Sequence, residues 1–190
     1  MQPIFYWVIG YLAPMLVTYL LYMFLLKKTS YGKNHWVSYS IIHSGLALSI
    51  VINAYFLYQH KLTYLFHPTW FSIPFLLLTS LASIHLLGEL GPSYLLSSLL
   101  QQFCVTLSIQ LLLQYYSIPF LLVLLVPPYV IAHIQHPHHW KSKVPPTTAW
   151  GLTSVLLYCL TSDLLLNTAF HILIGTHGIK KRILYDEMEI

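Results

Sequence analysis

A chain of 190 residues that is 57% hydrophobic and only 7% charged, with a net charge of +4, cannot cover the surface of a water-soluble domain. Nor is it long enough to hold a membrane domain and a separate soluble one. Residues 1–190 therefore read as a single integral membrane domain: an all-α, polytopic, multi-pass helix bundle.

The apolar runs place seven transmembrane helices near 3–26, 36–58, 70–87, 94–116, 118–134, 148–161 and 164–177. The first begins MQPIFYWVIG, without a basic leader or a small-residue cleavage site, and is expected to stay as a helix. The second carries His43-Ser44-Gly45. Ile42 stands where the GxSG motif of a rhomboid-type serine protease needs glycine, which excludes that reading. The third leads into LLGELGPS, where Glu89 follows His85 by four residues, within pairing reach if that turn is helical.

The fourth helix is the most polar. Gln102, Thr106, Gln110 and Gln114 form one stripe, and Ser97, Gln101, Cys104 and Ser108 a neighbouring one. Polar groups in such helices ordinarily face other helices, where they bond across the interface. In the fifth, Pro127 and Pro128 remove two amide donors and are expected to bend or break the helix before His133. The last two helices, as drawn, are too short to cross a hydrocarbon core of about 30 Å upright. The final helix places Asn167 and His171 four residues apart, on one face. Residues 178–190 read as an inner-side tail.

Charge sets the orientation. With the N-terminus outside and the C-terminus inside, Lys27, Lys28, Lys33, Lys141, Lys143, Lys180, Lys181 and Arg182 fall on the inner side and Lys61 outside. Trp7, Trp36, Trp70, Trp140 and Trp150 all fall near expected helix ends, where indoles anchor at the interface. The cations follow topology rather than a phosphate-binding groove, so membrane lipids are expected as partners and nucleic acid is not. Cys104 and Cys159 lie in apolar stretches and read as buried thiols, too few for a zinc site.

The run HIQHPHH is the densest titratable cluster. A metal-dependent hydroxylase needs further histidine boxes, and His35, His43, His60, His67, His85, His171 and His177 make none. No HExxH is present, so neither a metal nor another cofactor is expected. His136, His138 and His139 read as loop residues at the inner interface, able to attract anionic lipid. His133 still belongs to its helix. In this orientation Gln101 and Gln102, His133 and His171 come from three helices to comparable depth.

The segment YVIAHIQHP, followed by WGLTSVLLYCLTSDLLLNTAFHILIG, resembles the core of the CAAX-protease and bacteriocin-processing family, also called the Abi family. Tyr129 and His133 correspond to its FxxxH motif. Cys159-Leu160-Thr161-Ser162-Asp163-Leu164 resembles its T-G-S-L turn, and His171 takes the histidine of its HxxxN motif. The likeness covers about 90 residues, roughly 97–177, and sets a core of 94–177. It implies an intramembrane endopeptidase fold in which His133 and a glutamate activate water while His171 and an asparagine stabilise the oxyanion. The chain departs from that set. Gln101 and Gln102 replace the two glutamates of EExxxR, Thr106 replaces the arginine, and Gly175 the asparagine. An amide accepts no proton at neutral pH, and losing a catalytic base costs about 10² to 10⁴ in rate. The expectation is a non-catalytic pseudoprotease that binds membrane segments or a transmembrane or lipidated protein. The alternative is an active peptidase in which His133 works with a relocated carboxylate, Glu89.

Overall fold

The computed structural model describes residues 3–21, 35–64, 66–133 and 140–188, and side chains within 4–21, 40–64, 66–131 and 144–179. Every regular element among them is helical. In chain order these are α1 (Pro3–Trp7), a π-helical turn (Val8–Leu12), α2 (Ala13–Leu20), α3 (His35–Gln59), α4 (Ser72–Leu87), α5 (Leu90–Leu113), α6 (Ile118–His133), α7 (Trp140–Thr161) and α8 (Leu164–Met188). The first three pieces run on without a break, so the described residues form seven rods, as expected.

Prolines explain several of these boundaries. Pro74, Pro92 and Pro119 lie in the first turns of α4, α5 and α6, where the amide they lack would have no helical partner. Pro14 acts differently, because its missing amide strips the Gly10 carbonyl of the donor four residues on. The hydroxyl of Ser49 and the amide of Asn53, from α3, donate to Gly10 O instead, the amide at 2.7 Å. Glycine permits that approach: a Cβ at Gly10 would lie 2.5 Å from Asn53 Oδ1. The π turn sits at this disturbed stretch, as helix irregularities near proline do.

Three expectations need correction. First, α6 is not broken at Pro127 and Pro128 but runs through them to His133. Each proline removes one bond, and packing against α7 keeps the segment helical. Second, α7 begins at Trp140 instead of 148, because Pro145 and Pro146 fall in its second turn and deprive only two carbonyls near its open end. Third, α8 runs to Met188, through most of the expected tail. Gly175 and Gly178 do not stop it, since an interior glycine costs only about 1 kcal/mol. With 22 and 25 residues, α7 and α8 are about 33 and 38 Å long, although the apolar part of α8 is the shorter stretch Leu164–Ile179.

α5 is the axis of the bundle, in contact with α1, the π turn, α3, α4, α6, α7 and α8. From Cys104 to Leu112 every residue is buried, the pattern of a helix enclosed on all sides. Large apolar side chains also face outward, among them Val51, Leu78, Leu81 and Val123. By length and apolarity two helices can cross a membrane, Ser40–Gln59 and Leu90–Leu113. Ile4–Leu20, Ser72–Leu87, Ile118–Ile131 and Leu164–Ile179 are shorter apolar stretches.

One carboxylate ties the helix ends together. Asp163 caps α8 by accepting from the Leu166 amide at 3.0 Å, and its other oxygen accepts from the Thr69 amide and hydroxyl at 2.8 and 2.9 Å. Ser162 turns the chain from α7 into α8 with φ of 53°, and its carbonyl accepts from the His67 amide.

Candidate functional site

Three helices bring one polar cluster to the middle of the bundle. Gln102 comes from the midpoint of α5, Trp150 and Ser154 from one face of α7, and Asn167 and His171 from one face of α8. The last two pairs each share the spacing i, i+4. All five residues are buried.

Gln102 is the hub. Its Nε2 lies 2.5 Å from His171 Nδ1, while its Oε1 accepts from Ser154 Oγ and Asn167 Nδ2, both at 2.9 Å. Asn167 Nδ2 also reaches Ser154 Oγ at 3.1 Å. The Trp150 indole nitrogen stands 3.2 Å from His171 Nδ1. An indole N–H only donates, so Nδ1 is the acceptor, and the proton of the neutral ring lies on Nε2. The nitrogen with the free electron pair is thus covered by two donors. Tyr129 and Trp150 stand edge-on to the imidazole, with ring centroids 6.4 and 5.8 Å away.

Tyr94 closes the same neighbourhood from α5, donating to the backbone oxygen of His171 at 3.1 Å. It also occupies the space beside Gly175: a Cβ there would overlap the Tyr94 hydroxyl. At Gly175 the chain packs a phenol against bare backbone.

The other expected site residues are dispersed. Thr106 bonds Tyr64 at 2.8 Å instead of joining the centre. Gln101 is half-buried, one position round the helix from Gln102. Glu89 is exposed just before α5, about 20 Å along the helix axis from Gln102. His133 ends α6 one turn beyond Tyr129; its side chain, like His136, His138 and His139, lies outside the described residues. Among the described residues no group of three or more histidine, cysteine, aspartate or glutamate side chains is placed to hold a metal ion. The second stripe of α5 faces α3: Ser97 meets His43 at 2.7 Å, and Cys104 meets Ser49 at 2.7 Å. Ser44 bonds back to the Ser40 carbonyl of its own helix.

Sequence reasoning missed Trp150, Ser154 and Tyr94. Trp150 was expected to anchor a helix end, because the helix was expected to start at 148. With α7 starting at Trp140, the same indole falls within the helix and is buried. The available signal was the Trp150-x-x-x-Ser154 spacing, which mirrors Asn167-x-x-x-His171.

Comparison of the chain with known protein families, curated proteins and solved structures finds no match.

Proposed function

We propose that this chain is a multi-pass integral membrane protein of seven spans, N-terminus outside and C-terminus inside, built on a core like that of the CAAX-protease and bacteriocin-processing family. Its role is that of a non-catalytic pseudoprotease, holding a membrane segment or a transmembrane or lipidated protein. Outward-facing leucines, isoleucines and valines on α3, α4 and α6 support the membrane reading, since water disfavours so much exposed apolar surface. The bonds of Tyr6 to His60 and of Thr69 to Asp163 support the alternation of the helices, because each joins residues assigned to the outer side. Ser162 supports the likeness: it occupies the glycine position of the T-G-S-L turn and adopts a left-handed φ that glycine favours.

The observation that carries the non-catalytic reading is that both ends of the Gln102 carboxamide are engaged. Water must lose a proton to attack a peptide bond, and the group at this position donates to His171 instead of accepting from water. Its oxygen is already engaged by Ser154 and Asn167. Such a network binds helices together.

Gentle extraction followed by mass spectrometry of the intact complex tests the binding role. A transmembrane or lipidated protein should be retained by the wild type and by His133→Ala alike. Recovery of no partner from either protein contradicts the role.

A further inference from the structure

The exposed side chains sort by type along the bundle. Every aromatic ring exposed among the described residues falls in one of a few short stretches. Phe5 lies in α1, Tyr58 near the end of α3, Trp70 and Phe71 just before α4, and Tyr115 and Phe120 on either side of the α5–α6 turn. Elsewhere the large exposed side chains are aliphatic, among them Val51, Leu81 and Val123.

Contacts gather these stretches at one end. Tyr6, next to Phe5, meets His60 Nε2 at 2.5 Å, and the Tyr115 ring stands edge-on to the same imidazole, with centroids 6.5 Å apart. Leu62 and Tyr64, which lead towards Trp70, pack on Leu107 and Leu111 near the end of α5. The link from α3 to α4 is fastened from inside. The His67 amide donates to the Ser162 carbonyl at 3.1 Å, and Asp163 holds Thr69. With the backbone so tied, Trp70 stands 88% exposed and edge-on to Phe71.

Distribution and chemistry select the partner. The rings belong to three packed helix pairs, α2–α3, α4–α8 and α6–α7, which surround α5. A protein partner would need them on one face, whereas a bilayer encircles the bundle. This end is also poor in charge: among the described residues it exposes Lys61, while Asp163 is buried. Phenol and indole rings, apolar with a polar tip, prefer the layer where headgroups meet acyl chains. Leucine, isoleucine and valine beyond them suit the hydrocarbon core.

We propose that these rings form a rim seated in the headgroup layer of one leaflet, with the phospholipid interface as its partner and the link 66–71 lying in that layer. The inference rests on the membrane reading and fixes the level at which the hydrocarbon ends on the bundle.

Tryptophan quenching of the full chain in phosphatidylcholine nanodiscs tests it. Bromine is placed on the acyl chains either near the carbonyls or near the bilayer centre, and iodide serves as the quencher in water. Trp70 is read as the difference between the wild type and Trp70→Phe. Tyr58→Trp and Phe120→Trp, each made in the Trp70→Phe background, report the rim on the other two pairs. Leu81→Trp in that background reports the aliphatic surface. Leu81 lies nine residues beyond Ser72, about 13 Å along α4 and so near the middle of a core about 30 Å thick.

The three rim positions should lose more emission to shallow bromine than to deep bromine or iodide, and Leu81→Trp more to deep bromine. If Leu81→Trp behaves so, rim quenching by iodide alone, or by different quenchers at the three positions, overturns the rim and leaves the membrane reading standing. A rim that no quencher reaches, beside a quenched Leu81→Trp, overturns lipid as its partner in favour of protein. Bromine quenching at no position, Leu81→Trp included, contradicts the membrane reading and the rim with it.

Discussion

The centre at Gln102 and the junction at Asp163 are both buried hydrogen-bonded structures, yet they are made of opposite materials. At the centre, neutral side chains bond one another across three helices. At the junction, one carboxylate bonds backbone amides and hydroxyls at the start of α8, where the helix end favours negative charge. Asp163 is eight residues before His171, about 12 Å along the helix. The acid that the described residues bury serves as a cap, and the hub of the polar centre is an amide. The comparison separates two uses of polarity: charge at the helix ends for placement, and neutral networks in the middle for cohesion.

The sharpest way to break the centre is Gln102→Leu. It strands the Ser154 and Asn167 donors and takes one of two donors from His171, each at about 1–3 kcal/mol, for a total near 3 kcal/mol or more. Chemical unfolding in a lipid-like micelle should show that loss, and a change near zero would mean that the network contributes little cohesion.

Breaking the junction should cost somewhat less. Asp163→Ala removes a helix cap and the tie to Thr69, about 2 kcal/mol together. This substitution also carries a pH signature. Burial pushes the Asp163 pKa up, but donors from Leu166, Thr69 and Ser72 outweigh it and hold the group below the ordinary carboxylate value. A lowered folded-state pKa gives stabilisation that is complete above about pH 4 and is lost as pH falls through the folded value. Thermal melts of the wild type should therefore weaken more steeply in acid than those of Asp163→Ala; parallel curves would show that the carboxylate is not the cause.

Smaller changes sharpen the contrast. Trp150→Phe keeps an aromatic ring against His171 but removes the indole N–H and part of the ring volume, so about 1–2 kcal/mol should be lost. Ser162→Gly should do the reverse and stabilise by roughly 0.5–1 kcal/mol, because glycine adopts the observed left-handed φ without steric cost. Retention of the wild-type melting temperature by that variant would argue that Ser162 bears no strain.

The helices were legible because uninterrupted apolar runs end at proline, glycine and charge, and Pro74, Pro92 and Pro119 mark true first turns. Boundaries failed where a local signal met tertiary packing. The expected helices began at 148 and ended at 177, yet α7 starts before Pro145-Pro146 and α8 runs on past Gly178. That Gln102 and His171 lie at comparable depth was expected from the orientation of their helices. The closure of the centre was not: Tyr94, Trp150 and Ser154 matter through the directions of their side chains, which the packing of α5, α7 and α8 decides. The role of Pro14 was also hidden, since the groups that answer its missing amide come from Ser49 and Asn53 on another helix.

The role proposed for the Gln102–His171 pair is to hold the bundle together without hydrolysis. Its most direct test is peptide cleavage by the purified wild-type protein in lipid vesicles, measured beside His133→Ala and His171→Ala. The account predicts no cleavage above the lipid-only background from any of the three. Cleavage by the wild type that either substitution abolishes would contradict it.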